Sequence, residues 1–214
     1  GLGMPDVIHI PGTWSESYLN IPGIGGTRVG YNNVPLIKQN QEPWRTKLYP
    51  ENRPCRLENG KLATYSTSGC GPTSLAMVIT YFTRKAEKLG PDEIITPDTI
   101  GKIIIDNGWR SCGSGTSWSA MTGIPPYYNL RSKFISRNKT SLQRCFNDGG
   151  LVIASMKKPD ETCHFSFTTG GHFIVLTGIE GNTAYINDPG PRNITSTSIQ
   201  HVTSCAKGFW CITP

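Results

Sequence analysis

Residues 64–82 read TYSTSGCGPTSLAMVITYF. A single cysteine, Cys70, stands between Gly69 and Gly71 and two residues ahead of Pro72. Leu75, Val78, Ile79 and Phe82 follow at the spacing of one helix face. Pro72 falls near the first helical position, where its missing N–H has no helical partner to lose. Basic residues come late, and Gly90 predicts the stop. The stretch therefore predicts a helix with a thiol at its mouth. Orphan N–H groups and the helix dipole favour negative charge there, and a thiol so placed ionises more readily. Glycine on both sides leaves the approach to sulfur open. The pattern suits an activated, accessible sulfur; a buried structural cysteine at a helix start has the same local pattern.

Around this helix the chain divides by period. Residues 1–33 are rich in Gly and Pro, with NIPGIGGTRVG at residues 20–30, and read as an N-terminal extension or arm. VPLIKQNQEPW, Val34 to Trp44, starts as a short strand and turns at Pro43. Residues 45–63 read as loop, broken at Pro50 and Pro54. TPDTIGKIIIDNGW predicts a second helix behind a Thr96 cap, ending at Asn107-Gly108. SWSAMTGI predicts a short third, and TSLQRCFNDGG a fourth capped by Thr140 or Ser141. Then LVIASM, HFSFTT, HFIVLTGIE, NTAYINDP and the closing GFWCITP read as short strands punctuated by Gly, Asn and Pro. Helices first and an antiparallel sheet second make an α+β fold, with one domain over residues 34–214.

At 214 residues the chain can bury a sizeable core. No run approaches the ~18 apolar residues of a membrane span, and residues 1–12 lack the basic and apolar regions of a signal peptide. The formal net charge is +6, with dispersed basics. Nucleic-acid binding would want them clustered among aromatics; an anionic cell envelope suits a diffuse charge equally well. The seven cysteines are an odd number. In an oxidising compartment six can pair, leaving one thiol to be explained, and the loop-rich composition leans towards a secreted or envelope location; a cytoplasmic protein with buried free cysteines is the other reading. Cys205 and Cys211, with Gly208 between them to allow a turn, are the first pair expected.

A nucleophilic cysteine needs a base, and the base an orienter. TTGGHFIVLTGIEGNTAYINDPG, residues 168–190, offers both: His172 opens an apolar strand and Asp188 ends the next. A hairpin of these two strands sets Asp188 beside His172. Alone, such a histidine reads as structural and an Asp in NDPG as a turn former; the three residues together are harder to dismiss. Cys163-His164 suggests a metal with Cys112 or Cys145, but no two-residue cysteine spacing accompanies it, so neither metal nor other cofactor is expected. Asn138 in NKT and Asn193 in NIT match the glycosylation pattern. His9 and His201 have no evident partner and read as surface residues. Trp109, Trp118, Tyr127 and Tyr128 read as core or loop anchors, or as the lining of a substrate groove.

SGCGPTSLAMVITYF, GGHFIVLTGI and INDPG, in that order, resemble the papain-like cysteine peptidases of the bacteriocin-leader-processing type and their stand-alone C39-like relatives. VPLIKQNQEPW resembles the segment where that family places a glutamine and a tryptophan. The resemblance runs from Val34 to the C-terminus. It implies a papain-like fold with Cys70 as nucleophile, His172 as general base and acid, and Asp188 as orienter. It implies an oxyanion-hole glutamine beside the Cys70 N–H: Gln39, whose distance to Trp44 fits better, or Gln41. The expected substrate is a peptide, either a peptidoglycan cross-link or a secreted peptide. A non-enzymatic peptide or cell-wall binding module, and an amide-transferring (transglutaminase-like) enzyme, are the other readings of the same scaffold.

Overall fold

The computed structural model describes residues 8–9 and 28–214. Most of the arm expected over residues 1–33 therefore lies outside the described residues. In chain order the elements are β1 (Ile8–His9), β2 (Arg28–Val29), β3 (Pro35–Leu36), α1 (Tyr65–Ser68), α2 (Cys70–Lys85), β4 (Glu93–Ile94) and α3 (Pro97–Asp106). Then come β5 (Arg110–Ser111), β6 (Gly115–Thr116), α4 (Trp118–Gly123), β7 (Arg131–Ile135), α5 (Lys139–Asn147) and β8 (Leu151–Lys157). The chain closes with β9 (Gly171–Glu180), β10 (Thr183–Asn187), β11 (Ser196–Ser198), α6 (Ile199–Cys205) and β12 (Ala206–Thr213).

Six of the strands form one antiparallel sheet in the order β11-β10-β9-β8-β12-β7. Side chains alternate across it, as a period of two requires. Ile153, Val175, Trp210 and Ile212 pack with Leu75, Val78, Ile79 and Phe82 of α2. Val152, Ala154, Ile174, Leu176 and Phe209 pack on the other face with Leu142 of α5 and Val202 of α6. That is why β8 and β9 read as continuous apolar runs: both their faces are covered. Burying each aliphatic side chain of this kind is worth roughly 1.5–3 kcal/mol.

Several expectations are corrected. The Cys70 helix ends at Lys85, short of Gly90, and Glu87 takes the left-handed position at φ 60. Lys88 N–H returns to the Thr83 carbonyl and Glu87 N–H to that of Arg84, closing the helix in the bonding pattern that glycine usually permits. Asn138, rather than Thr140 or Ser141, caps α5, accepting from Ser141 N–H at 2.8 Å. HFSFTT is not a strand. Arg131–Ile135 is one, although its Arg, Ser and Lys hide the pattern; as the edge strand it needs only one paired side.

The bridges are Cys55–Cys112, Cys145–Cys211 and Cys163–Cys205. The expected Cys205–Cys211 pair is excluded because Gly208 lies inside β12 and makes no turn. Six extended residues at about 3.3 Å each hold those sulfurs too far apart. Cys70 is the one free cysteine, and all seven lie among the described residues.

Candidate active site

Cys70 is the first residue of α2, with Gly69 as N-cap. The flanking glycines serve close packing rather than access to sulfur. A Cβ at Gly71 would stand 2.6 Å from Thr116 of β6, and one at Gly69 would stand 2.5 Å from the Tyr65 carbonyl. The helix mouth is thus pressed against β6 and α1, which fixes the thiol in place.

β9 and β10 form the expected antiparallel hairpin. It brings His172 Nε2 to 2.6 Å from Asp188 Oδ1, with only 13% of the imidazole and 2% of the carboxylate side chain exposed. Asp188 Oδ1 also accepts from Gly190 N–H at 2.8 Å. A Cβ at Gly190 would stand 3.1 Å from the imidazole, so glycine lets this turn close on the pair. His172 also faces the Cys70 thiol across a shared cleft, and each alters the other's ionisation. With Nε2 turned to Asp188, Nδ1 is the ring nitrogen left for sulfur.

The electrostatics follow from this geometry. Burial opposes ionisation of Cys70. The His172 hydrogen bond and charge, with the Phe173 and Gly71 N–H groups, outweigh it and hold the thiol below its ordinary pKa. Burial also opposes charge on His172, but the Asp188 and Cys70 hydrogen bonds raise it to about 10. Between those two values the pair exists as thiolate and imidazolium.

Gln39 lies between the two halves of this arrangement. Its N–H donates to the Pro189 carbonyl at 2.8 Å, next to Asp188, and its Nε2 donates to the Ser66 carbonyl at 2.8 Å, four residues before Cys70. The Gln41 side chain is buried with no hydrogen-bond partner among the described residues.

Sequence reasoning missed Lys38. It is 8% exposed, and its ammonium donates to the carbonyls of Asp188, Gly190 and Arg192 at 2.8, 2.7 and 3.0 Å. Trp44 Nε1 holds the Lys38 carbonyl at 2.8 Å. A lysine inside the buried run VPLIKQ was the available signal, since a lysine is almost never fully buried without partners.

The remaining candidates lie elsewhere. Asn187, the neighbour of Asp188, donates to the Val34 and Pro35 carbonyls. Cys163 is spent in a disulfide, and His164 meets the Glu161 carbonyl. No group of three or more His, Cys, Asp and Glu among the described residues is placed to hold a metal ion. His201, expected to be a bare surface residue, bonds Thr197 Oγ1 at 2.8 Å and stacks on Phe165. No described helix is long and apolar enough to cross a membrane. Cys70 and His172 open onto a cleft of about 610 Å³. Its lining includes the loop carrying Cys55 to Glu58, Trp118, and Ser155 and Lys207 of β8 and β12.

A helix bearing the thiol against an antiparallel sheet bearing the imidazole defines the papain-like scaffold. The model of the Peptidase_C39 like family matches residues 31–210, and the chain belongs to that family. Among solved structures, a putative C39-like peptidase from Bacillus anthracis is similar over 87% of this chain and 97% of its own, at 16% identity and a TM-score of 0.52. The peptidase domain of Streptococcus ComA, a bi-functional ABC transporter involved in quorum sensing, matches over 76% and 98%, at 15% identity and a TM-score of 0.48. A double glycine motif protease from an AMS/PCAT transporter, solved with its leader peptide, matches over 80% and 95%, at 18% identity and a TM-score of 0.42. No protein of curated function matches the chain.

Proposed function

We propose that this chain is a cysteine peptidase that cleaves peptide bonds through a thioester on Cys70. The observation that carries the reading is His172, hydrogen-bonded to Asp188 at the end of β10 and sharing one cleft with Cys70 at the mouth of α2, where each raises or lowers the other's ionisation. The Cys70 thiolate attacks the scissile carbonyl carbon. The Cys70 N–H and a Gln39 Nε2 hydrogen stabilise the oxyanion, the other Nε2 hydrogen being engaged with Ser66. His172 gives its Nδ1 proton to the leaving amine, and the C–N bond breaks. His172 then takes a proton from water, which attacks the thioester and releases the acid and the thiol.

The substrate is a peptide outside the cytoplasm, with peptidoglycan cross-links and secreted peptides as the two candidates. Three disulfides fit an oxidising compartment, secreted or at the cell envelope. The test is digestion of purified peptidoglycan and of a peptide library, with products identified by mass. Wild-type chain should release new amino termini, and Cys70→Ala should release none. Equal product from Cys70→Ala sinks the mechanism.

A further inference from the structure

Three residues are large, hydrophobic and exposed among the described ones, and two of them touch. Trp118 is 41% exposed and Phe134 55%, and their rings lie 5.8 Å apart. Both also meet the buried Trp210, at 5.0 and 5.2 Å. The three rings converge over Gly208, where a Cβ would stand 2.8 Å from Phe134, 3.1 Å from Trp210 and 3.3 Å from Trp118. Glycine is required there because a side chain would push the shelf apart. Trp118 Nε1 donates to Ser155 Oγ at 3.2 Å, which fixes the indole at the sheet end. Trp118 also lines the cleft that holds Cys70 and His172, so shelf and cleft are continuous.

Between His172 and the shelf stands Lys207. Ala206 pairs with Met156 and Gly208 with Ser155, so Lys207 is the extra residue of a β-bulge. Bulges re-aim side chains, and they recur beside active sites. Lys207 is exposed, lines the cleft and has no hydrogen-bond or ion-pair partner among the described residues. Arg56 and Arg110 also line the cleft, against the single carboxylate of Glu58. Arg110 is held rigidly, over the Tyr49 ring at 4.5 Å and donating to the Tyr49 carbonyl at 2.9 Å. Apart from the Cys70–His172 pair, the cleft wall therefore carries three cations and one anion.

The strand order sets the spacing. His172 lies on β9, Lys207 two strands away on β12, and Phe134 three strands away on β7. At about 4.8 Å between strands Lys207 lies roughly 10 Å across the sheet from His172, about three residues of an extended peptide; the Phe134 ring reaches back over Gly208, the residue after Lys207, and so stands about one residue further out. We propose that Lys207 and the Trp118–Phe134 shelf form one subsite, which selects a peptide with a carboxylate about three residues from the scissile bond and an apolar side chain one residue further out. This deepens the peptidase reading and rests on it for the position of the scissile bond. The anion meets Lys207 in the generally cationic cleft, and the apolar side chain covers the exposed rings.

The test uses a mixed library of natural-sequence peptides, digested by the disulfide-bonded chain and read by mass spectrometry. On one side of the cut, Asp or Glu should be enriched about three residues away and apolar residues about four. Lys207→Glu should reverse the charge preference, changing kcat/KM on acidic peptides by about tenfold, with the effect shrinking in high salt. Trp118→Ala and Phe134→Ser should each erase the apolar preference and leave the charge preference in place. Cleavage with neither preference, or with profiles unchanged in these variants, overturns the subsite and leaves the peptidase intact. In parallel, the library is captured on immobilised Cys70→Ala chain. If nothing is cleaved but acidic, apolar peptides are retained and Lys207→Glu abolishes retention, the subsite stands and the peptidase reading falls. Capture without that bias overturns the subsite too.

Discussion

The ammonium of Lys38 lies 2.8 Å from the carbonyl oxygen of Asp188, whose carboxylate holds His172. One residue therefore pins the backbone of Asp188 while the Gly190 N–H pins its side chain. Two further carbonyls of the same turn, from Gly190 and Arg192, complete the three bonds an ammonium can donate. Lys38 also immediately precedes Gln39, whose N–H meets Pro189. Strand β3 and the turn after β10 thus reach the site as one unit.

Lys38→Met should act on the position of Asp188 rather than on substrate affinity. It leaves buried carbonyls without a donor, a cost of about 1–3 kcal/mol for each such group. The expected result is a lower Tm, a kcat lowered by roughly 10–10²-fold and a KM little changed. Lys38→Arg should recover part of kcat, since the cation and its donors return. Steady-state kinetics alongside thermal melts check this. Loss of stability with an unchanged kcat would make Lys38 structural only.

Gln39 and Gln41 should separate cleanly. Gln39→Ala should lower kcat by roughly 10²–10³ with little change in KM, as expected for a donor used mainly in the transition state. Gln41→Ala should be mild, because its side chain has no partner among the described residues. The kinetic constants of the two variants decide the register; the reverse pattern would move the oxyanion donor by two residues.

How far the sequence could be read depended on whether local pattern or long-range packing decided each feature. The Cys70 helix and the β9–β10 hairpin were legible because period and turn chemistry are local. The hairpin then placed Asp188 beside His172. Lys38 stood out only as a lysine in an apolar run; its three partners were not legible, since they lie at least 150 residues away along the chain. The bridges failed for the same reason: Cys145 and Cys211 are 66 residues apart and meet because α5 packs against β12. Strand β7 was hidden because an edge strand does not have to be apolar on both faces. The role of Gly71 was misread because its constraint is Thr116, on a strand that local pattern did not reveal.

The helix end offers a stability test. Glu87 occupies a left-handed conformation at an exposed helix terminus. That conformation costs an ordinary residue about 1–2 kcal/mol and glycine very little. Glu87→Gly should therefore stabilise the chain by roughly 0.5–1 kcal/mol, the added freedom of glycine in the unfolded state offsetting part of the relief. Denaturant melts of the disulfide-bonded protein measure it, and a destabilisation would show that Glu87 makes a compensating contact.

The cysteine pairing is directly testable. Denatured, non-reduced protein should titrate with one thiol, and alkylation followed by digestion should place it at Cys70. Peptide mapping should join Cys145 to Cys211, Cys163 to Cys205 and Cys55 to Cys112. Replacing Cys145 and Cys211 together by serine opens a 66-residue loop. In the chain-entropy model this costs about 4 kcal/mol. A Cys205–Cys211 peptide would contradict the strand assignment of β12.

The last prediction concerns pH and turns on Asp188. His172 is raised to about 10 against burial, chiefly by its hydrogen bond to Asp188, and Cys70 is lowered against burial, chiefly by its hydrogen bond to His172. The sign follows from each group's unfolded value. A raised His172 contributes stability that is complete below about 6.5 and is lost as pH rises through about 10. A lowered Cys70 contributes stability above its ordinary value of 9.0 that is lost as pH falls through the depressed one. The reactive thiolate–imidazolium form occupies the interval between the folded-state values, so kcat/KM should plateau there and fall on its alkaline side near pH 10. Asp188→Asn removes the charge that raises His172 and loosens control of its tautomer. The alkaline limb should move down towards the ordinary histidine value, the acid limb should move up, and the plateau should narrow from both sides. kcat should fall by on the order of 10²–10⁴, since the pair acts as a unit. Asn187→Ala is the control. It breaks the bonds to Val34 and Pro35, so it should lower Tm without moving either limb. The measurements are kcat/KM against pH for the three proteins and an NMR titration of the His172 ring. An alkaline limb that stays near pH 10 in Asp188→Asn would mean that Asp188 does not set the charge state of His172.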